Sequence, residues 1–302
     1  MELEGSFVIL AGLVFAFTYV NGFHDGCNVV ATLIASRAMK PKMALAWAAV
    51  VELLSPFLIL VLGASVSDTI QNLVGETYYT GDGAEETALA FITGGILAAI
   101  LWNLITWKFG IPASSSHSLI GGVVGAGLAA FGTGAIAWHY FWGRVVLMIF
   151  LTPAVSFCLG FCILKLLLRL TRCAGVGVNK FFTYAQWVNM TFLAFNHSFN
   201  DSQKSIGILL ILLGIYGGQT REIPLWAISC AAVCLACGIA FGGFKIIKTV
   251  GTGIYKVQPI HSFASQLTAG SVILGASLLG APVSASQIVS SSIMGVGAAK
   301  RL

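Results

Sequence analysis

The chain is divided into apolar stretches, most of them long enough to cross a lipid bilayer, and this feature limits the fold more than any other. A spanning helix needs roughly 20 apolar residues. Seven stretches meet this need, and two shorter ones are rich in Ser and Gly. The seven lie near 5–38, 43–66, 87–108, 144–168, 181–217, 224–244 and 261–280, and the two Ser-rich ones at 111–132 and 281–299.

The composition agrees with a lipid environment. Of the 302 residues, 57% are hydrophobic and only 9% are charged, which is typical of a polytopic membrane protein and argues against a soluble domain or a nucleic-acid partner. The first stretch begins with Glu2 and Glu4, so we expect it to be retained and not cleaved as a signal peptide. The seven cysteines lie in apolar surroundings, where we expect packing and no metal binding.

Three pairs of matching segments indicate an internal repeat. GFHDGCNVVAT matches SFNDSQKSIGI, which places Asp25 on Asp201. GASVSDTI matches GGFKIIKTV, and IPASSSHSLIGGVVGAG matches APVSASQIVSSSIMGVG. The pairs occur in the same order at similar offsets, so they predict a duplicated chain, a plan common among transporters.

Basic residues predict the orientation of the two repeats. Cytoplasmic loops collect Lys and Arg, and an external N-terminus puts most of the 16 basic residues inside. This assignment gives each half five crossings, with each Ser-rich stretch counted as one. Because five is odd, the second half is inverted relative to the first. The predicted fold is an all-α polytopic membrane protein, an inverted-topology repeat transporter with broken helices and Ser-rich re-entrant or short crossing segments.

The predicted boundaries follow from the repeat. The first repeat covers 1–172, a cytoplasmic linker covers 173–180, and the second repeat covers 181–302. The second repeat has no counterpart of the crossing near 144–168, so it is expected to lack its last transmembrane segment. We then expect the helices beside 281–299 to present an apolar face to lipid or to a partner subunit.

Polar residues inside the first segment predict a functional site. NGFHDGCNVVAT, residues 21–32, places ionisable groups where they are costly unless they face a cavity or a partner. We expect the helix to break at this motif in both repeats. Freed carbonyl and carboxamide oxygens would then bind a cation, and the next helix N-terminus would bind an anion. A hydrogen-bonding clamp between helices is the alternative.

The two Ser-rich stretches are interpreted in the same way. PASSSHS at 112–118 and PVSAS at 282–286 each place proline at a segment start, followed by hydroxyl groups. Hydroxyls and backbone N–H groups at a helix start suit an oxyanion. The alternative is that the Ser hydroxyls bond to carbonyls of their own helices. Four helix N-termini are therefore predicted to converge on one anion.

These motifs together resemble the paired signature motifs of the inorganic phosphate transporter (PiT) family, in its bacterial branch. The resemblance covers nearly the whole chain and rests on five ordered segments, NGFHDGCNVVAT, IPASSSHSLIGG, FNHSFNDSQKSIGI, GGFKIIKTVGTGI and APVSASQIVSSSIMGVG. It implies a symporter of the plasma membrane that carries phosphate with Na⁺ or H⁺, as a homodimer in the lipid bilayer and without an organic cofactor. Related members of the family carry sulfate.

The resemblance also implies roles for individual residues. The coupling-ion or proton site is expected at Asp25, Asn28, Asn200 and Asp201, with a candidate Na⁺ site at Asp25 and Asn28. The phosphate site is expected at Ser114, Ser115, Ser116, Ser284 and Ser286, and the positive charge of Lys204, which departs from the family pattern, adds this residue to the site. Two residues break the internal symmetry: Lys204 stands at the counterpart of Asn28, and Gln287 at that of His117.

The predicted mechanism is alternating access, with no covalent chemistry and hence no enzymatic activity. Hydroxyls and helix N-termini would hold phosphate, while Asp25 and Asp201 would hold the cation or proton. Because carboxylates repel an anion, binding of the anion and of the cation becomes mutually dependent. The Lys204 ammonium can replace one bound Na⁺, which favours proton coupling. The alternative is that Lys204 only attracts phosphate and leaves the coupling unchanged.

Other functions stay open on the sequence alone. A sulfate permease of the same family, or a channel or sensor without coupled movement, would use the same anion-binding groups. An intramembrane serine hydrolase is disfavoured, because Ser116 and His117 are adjacent in sequence whereas a nucleophile and its base must meet in space. Glu52 has no counterpart in the second half and receives no role.

Overall fold

The computed structural model describes residues 2–80, 83–111, 113–175, 177–216, 223–242 and 257–301, and these residues are predominantly helical. Within these ranges the backbone forms no strand, only one antiparallel bridge between Val74 and Ile136. The helices are α1 (Glu2–Ala35), α2 (Pro41–Leu54), α3 (Ile59–Leu62), α4 (Ser65–Gln71), α5 (Glu85–Phe109), α6 (Ser115–Phe131), α7 (Trp138–Tyr140), α8 (Leu147–Leu170), α9 (Gly177–Ile215), α10 (Leu225–Phe241), α11 (Pro259–Leu278) and α12 (Ala285–Lys300).

Several helices have the length and composition of membrane spans. In the described part of the chain, four qualify on both counts: Gly5–Ala35, Pro41–Leu62, Glu85–Phe109 and Trp138–Leu170. Helices α6 and α10 are apolar but shorter. Helix α9 has 39 residues, but a long series of its polar side chains is buried. The outer surface carries many exposed large apolar side chains, as expected for a surface that faces lipid.

The two helices that carry the Asp motifs pack against each other and run antiparallel. Three contacts between α1 and α9 show the direction. The residue numbers of the contacting partners rise along α1 as they fall along α9. The contacts are Thr18 with Ser205, Asn21 with Asp201, and Gln186 with Ser36, which directly follows α1. The first helices of the two halves are therefore oppositely directed.

The predicted helix breaks at the Asp motifs are wrong. Helix α1 continues from Glu2 to Ala35 and α9 from Gly177 to Ile215. The polar side chains find partners on neighbouring helices, so the backbone need not open to satisfy them. The glycines of the first motif serve packing instead. A Cβ on Gly26 would lie 2.6 Å from Ile239 of α10, so this glycine permits a close approach of α1 and α10.

Each Ser-rich stretch forms the second arm of a helical hairpin. Helices α5 and α6 form one hairpin, and α11 and α12 the other. Gly110 and Gly280 occupy matching positions in the two turns, and both have a left-handed φ, 67° and 71°, which only glycine adopts without strain. The turns meet, because Ser286 donates to the Ala113 carbonyl at 3.1 Å.

From this meeting point α6 and α12 run to opposite ends of the bundle. Phe131, at the end of α6, packs on Tyr78. Lys300, at the end of α12, donates to Gln258 before α11. Since α6 returns to the end where α5 begins, the Ser-rich stretch is the returning arm of a hairpin and not a separate full crossing. Thr106, near the end of α5, contacts His24, so this turn lies level with the first Asp motif.

The apolar face expected beside 281–299 is present on α8, which packs on α12 and exposes Phe150, Val155 and Leu166. Helix α12 is mostly buried, because α8 covers it: Ser156 donates to the Ile288 carbonyl at 2.7 Å, and a Cβ on Gly160 would lie 2.8 Å from the Ser292 oxygen. A separate apolar groove lies between α5 and α6, where Gly121 and Gly125 have open space beside them.

Part of the predicted repeat falls outside the described residues. This applies to Pro112 and to most of GGFKIIKTVGTGI, which includes the counterparts of Gly63 and Thr69. Helix α9 begins at Gly177, within the stretch predicted as the linker 173–180.

Candidate functional site

The first carboxylate, Asp25, is buried between α1, α5 and α6. Its Oδ2 accepts a short hydrogen bond from Ser115 at the start of α6. Its Oδ1 lies 3.3 Å from Asn28 Nδ2 and 3.4 Å from His24 Nδ1. His24 in turn reaches Thr106 of α5 with its other ring nitrogen, at 3.3 Å. Asp25 thus contacts Asn28 and the start of the Ser-rich helix α6.

The second carboxylate, Asp201, forms an ion pair with Lys204 one turn later on α9. The ammonium also donates to Ser116 at 2.5 Å and to the Val283 carbonyl at 3.2 Å. Both residues are only 1% exposed. Lys204 thus joins the Asp motif of the second half to the Ser-rich stretches of both halves.

The predicted set of serines separates into two groups. Ser115 and Ser116 point toward the charged residues, and the Ser116 hydroxyl donates to the Val283 carbonyl at 2.7 Å. Ser114 and Ser284 are N-caps that accept from the N–H groups of His117 and Gln287. These two hydroxyls therefore satisfy orphan N–H groups of their own helices.

A cavity of about 640 Å³ opens beside the second group. Its polar lining comes from both hairpins and includes hydroxyl, imidazole and carboxamide groups. The Gln287 side-chain oxygen is buried here and has no hydrogen-bond partner in the described protein. The polar lining residues are Ser114, His117, Ser118, Ser286 and Gln287.

Three asparagines of the two Asp motifs have buried carboxamide oxygens. Asn28 donates to Asp25, Asn21 donates to Asp201 at 3.1 Å, and Asn200 donates to Ser277 at 2.8 Å. In each case the Nδ2 atom is used, and the Oδ1 atom has no hydrogen-bond partner among the described residues. Carboxamide and carboxylate oxygens are suitable ligands for a hard cation such as Na⁺.

The structure adds two residues that sequence reasoning did not place in the site. Glu52 of α2 is fully buried and lies 2.9 Å from His197 Nδ1. The other ring nitrogen of His197 lies 3.3 Å from Asp201 Oδ2. His197 precedes Asp201 by four residues, and this helical spacing was the available signal. For Glu52 no comparable signal existed, because its partner lies on a different helix.

The described residues contain no group of three or more His, Cys, Asp or Glu side chains arranged to bind a metal ion. The arrangement suits binding of small ions in a closed site, with hydroxyls and an ammonium for an anion, and carboxylates and carboxamide oxygens for a cation. Buried charges of both signs are costly in a membrane unless they are paired. Lys204 pairs with Asp201, whereas the hydrogen-bonding neighbours of Asp25 among the described residues are Ser115, Asn28 and His24.

Comparisons with known proteins point to one family. The model of the phosphate transporter family matches residues 21–175 and 171–302. The chain is 36% identical to a probable low-affinity inorganic phosphate transporter of Bacillus subtilis (strain 168), over 98% of this chain and 86% of that protein. It is 32% identical to a protein of the same name from Rhizobium meliloti (strain 1021), over 100% and 89%.

A solved structure shares the fold. It is described as the sodium-dependent phosphate transporter, and it matches with a TM-score of 0.84 and 22% identity over 98% of this chain and 90% of that one. This similarity confirms the predicted class of helical membrane protein. The family model and the two bacterial relatives establish that the chain belongs to the phosphate transporter family.

Proposed function

We propose that this protein imports inorganic phosphate by secondary active symport, through alternating access. The observation that carries the proposal is the position of Lys204, which links Asp201 to Ser116 and to the Val283 carbonyl. One closed site thus combines donors for an oxyanion with the carboxylates that a coupling cation or proton needs. Anion and cation then bind cooperatively, because each reduces the electrostatic cost of the other.

Phosphate is proposed to bind where the two hairpin turns meet. Ser115 and Ser116 offer hydroxyls there, Lys204 offers a fixed positive charge, and Ser114, Ser284 and Ser286 lie at the adjoining cavity or helix starts. The N-termini of α6 and α12 add positive dipole ends. In this structure Ser115 and Ser116 are engaged by Asp25 and Val283, so they exchange these partners when phosphate binds.

For the coupling ion, we infer at most one sodium site, at Asp25 and Asn28. The unpartnered Asn28 oxygen next to the Asp25 carboxylate supports this position. At the counterpart in the second half the Lys204 ammonium already neutralises Asp201, which leaves little attraction for a second Na⁺. We therefore favour proton coupling. The alternative is unchanged sodium coupling in which Lys204 serves only phosphate.

The proposal includes the inverted arrangement of the two halves and the orientation of the protein in the membrane. Antiparallel α1 and α9 and the oppositely directed α6 and α12 support inversion. The basic residues Arg37, Lys180 and Lys300 lie at the end of the bundle where α1 ends and α9 begins. By the positive-inside rule this end is cytoplasmic and the N-terminus is external. The family resemblance supports a homodimer in the plasma membrane.

The rival functions find less support. Ser115 donates to Asp25 and Ser116 to the Val283 carbonyl, and neither hydroxyl is engaged by a histidine as the nucleophile of a hydrolase would be. A channel needs no pair of buried carboxylates beside its anion site. A sulfate permease would use a similar oxyanion site, and only transport measurements separate it from a phosphate carrier.

The decisive experiment is uptake of labelled phosphate and of labelled sulfate into proteoliposomes, with Na⁺ and pH gradients imposed separately. We expect concentrative phosphate uptake, competition by arsenate, weaker sulfate uptake, and activity in sodium-free buffer under an inward proton gradient. Sulfate uptake equal to that of phosphate would refute the substrate. Uptake that never exceeds equilibration would indicate a channel, and strict Na⁺ dependence without a response to pH would refute proton coupling.

A further inference from the structure

A second group of buried polar residues lies beyond the site, toward the end of the bundle that carries Arg37 and Lys180. Asn28 and Thr32 on α1, and the half-buried Ser36 directly after its end, follow one another at helical spacing and continue the face that carries Asp25. Thr32 accepts from Gln266 of α11 at 3.2 Å. Ser36 donates to Gln186 of α9 at 2.8 Å. We name the polar seam after its five residues, Thr32, Ser36, Gln186, Ser262 and Gln266.

The seam is contiguous with the site and leads to the surface. Ser262 precedes Gln266 by one turn and so lies on the same face of α11. From Asp25 to Ser36 the rise along α1 is roughly 16 Å at about 1.5 Å per residue, which is about half the thickness of the hydrocarbon core. The seam therefore covers the distance from the site to one surface of the membrane.

The seam polar groups are incompletely paired. Gln186 Nε2, Gln266 Oε1 and Ser262 Oγ have no hydrogen-bond partner within the described protein, although the exposure of each residue is 1% or less. An unpaired buried polar group costs about 1–3 kcal/mol. A clamp that served only to hold helices together would be expected to pair its carboxamides or replace them by apolar residues. Unpaired hydrogen-bonding groups are instead suited to a mobile species, water or an oxyanion, that passes along them.

The chemistry of the seam fits an anion on its way out of the site. All five side chains are uncharged, so they can hydrogen-bond an oxyanion without holding it as a lysine would. On the opposite side of the site, α1 and α9 bury mostly apolar residues, among them Val14, Phe17, Leu209 and Leu212. Among the described residues, the buried polar pairs of α1 and α9 on that side stop at Thr18 and Ser205, so the longer polar route leads toward the end where basic residues end the helices.

We propose that the polar seam between α1, α9 and α11 is the passage, closed in this structure, through which phosphate leaves the site toward the cytoplasmic end. The inference rests on the proposed transport function and adds the residues that line the exit. Opening requires α11 to separate from α1, which breaks the contact between Thr32 and Gln266. The open seam would then expose Ser262, Gln186 and Gln266 to water.

The first test measures accessibility and does not depend on uptake. Ser262→Cys is nearly isosteric and replaces an unpartnered hydroxyl, so the fold should be retained. We expect a membrane-impermeant thiol reagent to modify residue 262 only from the Arg37 side, and at least 5-fold faster when phosphate and the coupling gradient are present. Mass spectrometry of the peptide with residue 262 distinguishes this site from the native cysteines. Modification from the opposite side, or at a rate unaffected by phosphate, would overturn the proposal.

The second test separates release from binding. Ser262→Ala and Gln266→Met remove polar groups from the seam and favour its closed form. We expect phosphate uptake at least 10-fold slower, with phosphate affinity in detergent, measured by equilibrium dialysis, within twofold of the unmodified protein. Gln203→Met is the matched control, because Gln203 is an equally buried glutamine of α9 that bonds to α4 through the Val66 N–H and not to the seam. If only the Gln203→Met control slowed uptake, the proposal that phosphate leaves through the seam would be overturned.

A failure of the seam proposal can be distinguished from a failure of the proposed transport function. If the unmodified protein imports phosphate and both seam variants transport at its rate, the seam is wrong and the proposed function stands. If the unmodified protein imports no phosphate, the proposed function is wrong. The seam as a phosphate exit then also fails, whatever the labelling at residue 262.

Discussion

Removing the positive charge of Lys204 should greatly reduce the stability of the protein. The ammonium is almost fully buried and contacts Asp201, Ser116 and the Val283 carbonyl. In Lys204→Met the Asp201 carboxylate remains buried without its partner. Breaking a buried pair in this way costs about 3–5 kcal/mol. At about 2 °C per kcal/mol for a chain of this size, Tm should fall by roughly 6–10 °C.

A double-mutant cycle tests whether the pair is the cause. Asp201→Asn removes the negative charge, so adding it to Lys204→Met removes the uncompensated charge and should recover part of the loss. We expect a coupling energy of about 2 kcal/mol, within the range seen for contacting residues. The assay is thermal unfolding in detergent, followed by Trp fluorescence. Lys300→Met is the control, because this exposed lysine makes a hydrogen bond to Gln258 and no ion pair among the described residues, and it should change stability by less than about 0.5 kcal/mol.

Additive losses in the cycle would refute the reasoning, because they would show that Lys204 and Asp201 do not interact. A loss for Lys300→Met as large as that for Lys204→Met would refute it too, since burial of the pair would then be irrelevant. The same variants should lose phosphate uptake. Normal concentrative uptake by Asp201→Asn would remove Asp201 from the transport mechanism.

Three further results are expected. If Na⁺ binds at Asp25 and Asn28, saturating Na⁺ at about 100 times its Kd should stabilise the protein by about 2.7 kcal/mol; a Tm shift that persists in Asn28→Leu would contradict this position. Ser284→Ala should cost about 1 kcal/mol of stability and Ser284→Gly only a few tenths, because Ser284 caps α12; equal losses in denaturation would exclude a capping role. Gly26→Ala should cost about 1–3 kcal/mol by forcing α1 from α10, whereas Gly5→Ala has open space and should be neutral; equal changes in Tm would argue against close packing.

The fold class and much of the site composition could be predicted from local patterns. Apolar stretches of sufficient length predict helices because lipid leaves the backbone few other ways to pair its polar groups. Buried Asp residues predict a site because their cost in a membrane requires a compensating role. The proximity of Lys204 to Asp201 also followed from the chain, since residues three apart lie on one face of a helix.

The sequence alone misled where a polar motif had two physical solutions. A polar cluster in a membrane segment is satisfied either by opening the helix or by partners on other helices. Asp25 takes the second solution with Ser115, which lies 90 residues away, so no local pattern could decide between them. Glu52 is the same case, because its partner His197 is 145 residues distant. Only packing brings such residues together.

The sequence by itself determined that this chain is helical, is built for lipid and carries two related polar motifs, because spacing and transfer cost act along a single segment. Tertiary structure decided which donors meet which carboxylates, that the two Ser-capped helices begin side by side and run apart, and that a polar seam joins the site to one end of the bundle. These features depend on how α1, α9, α11 and the hairpin turns pack, and packing is set by contacts among residues far apart in the chain.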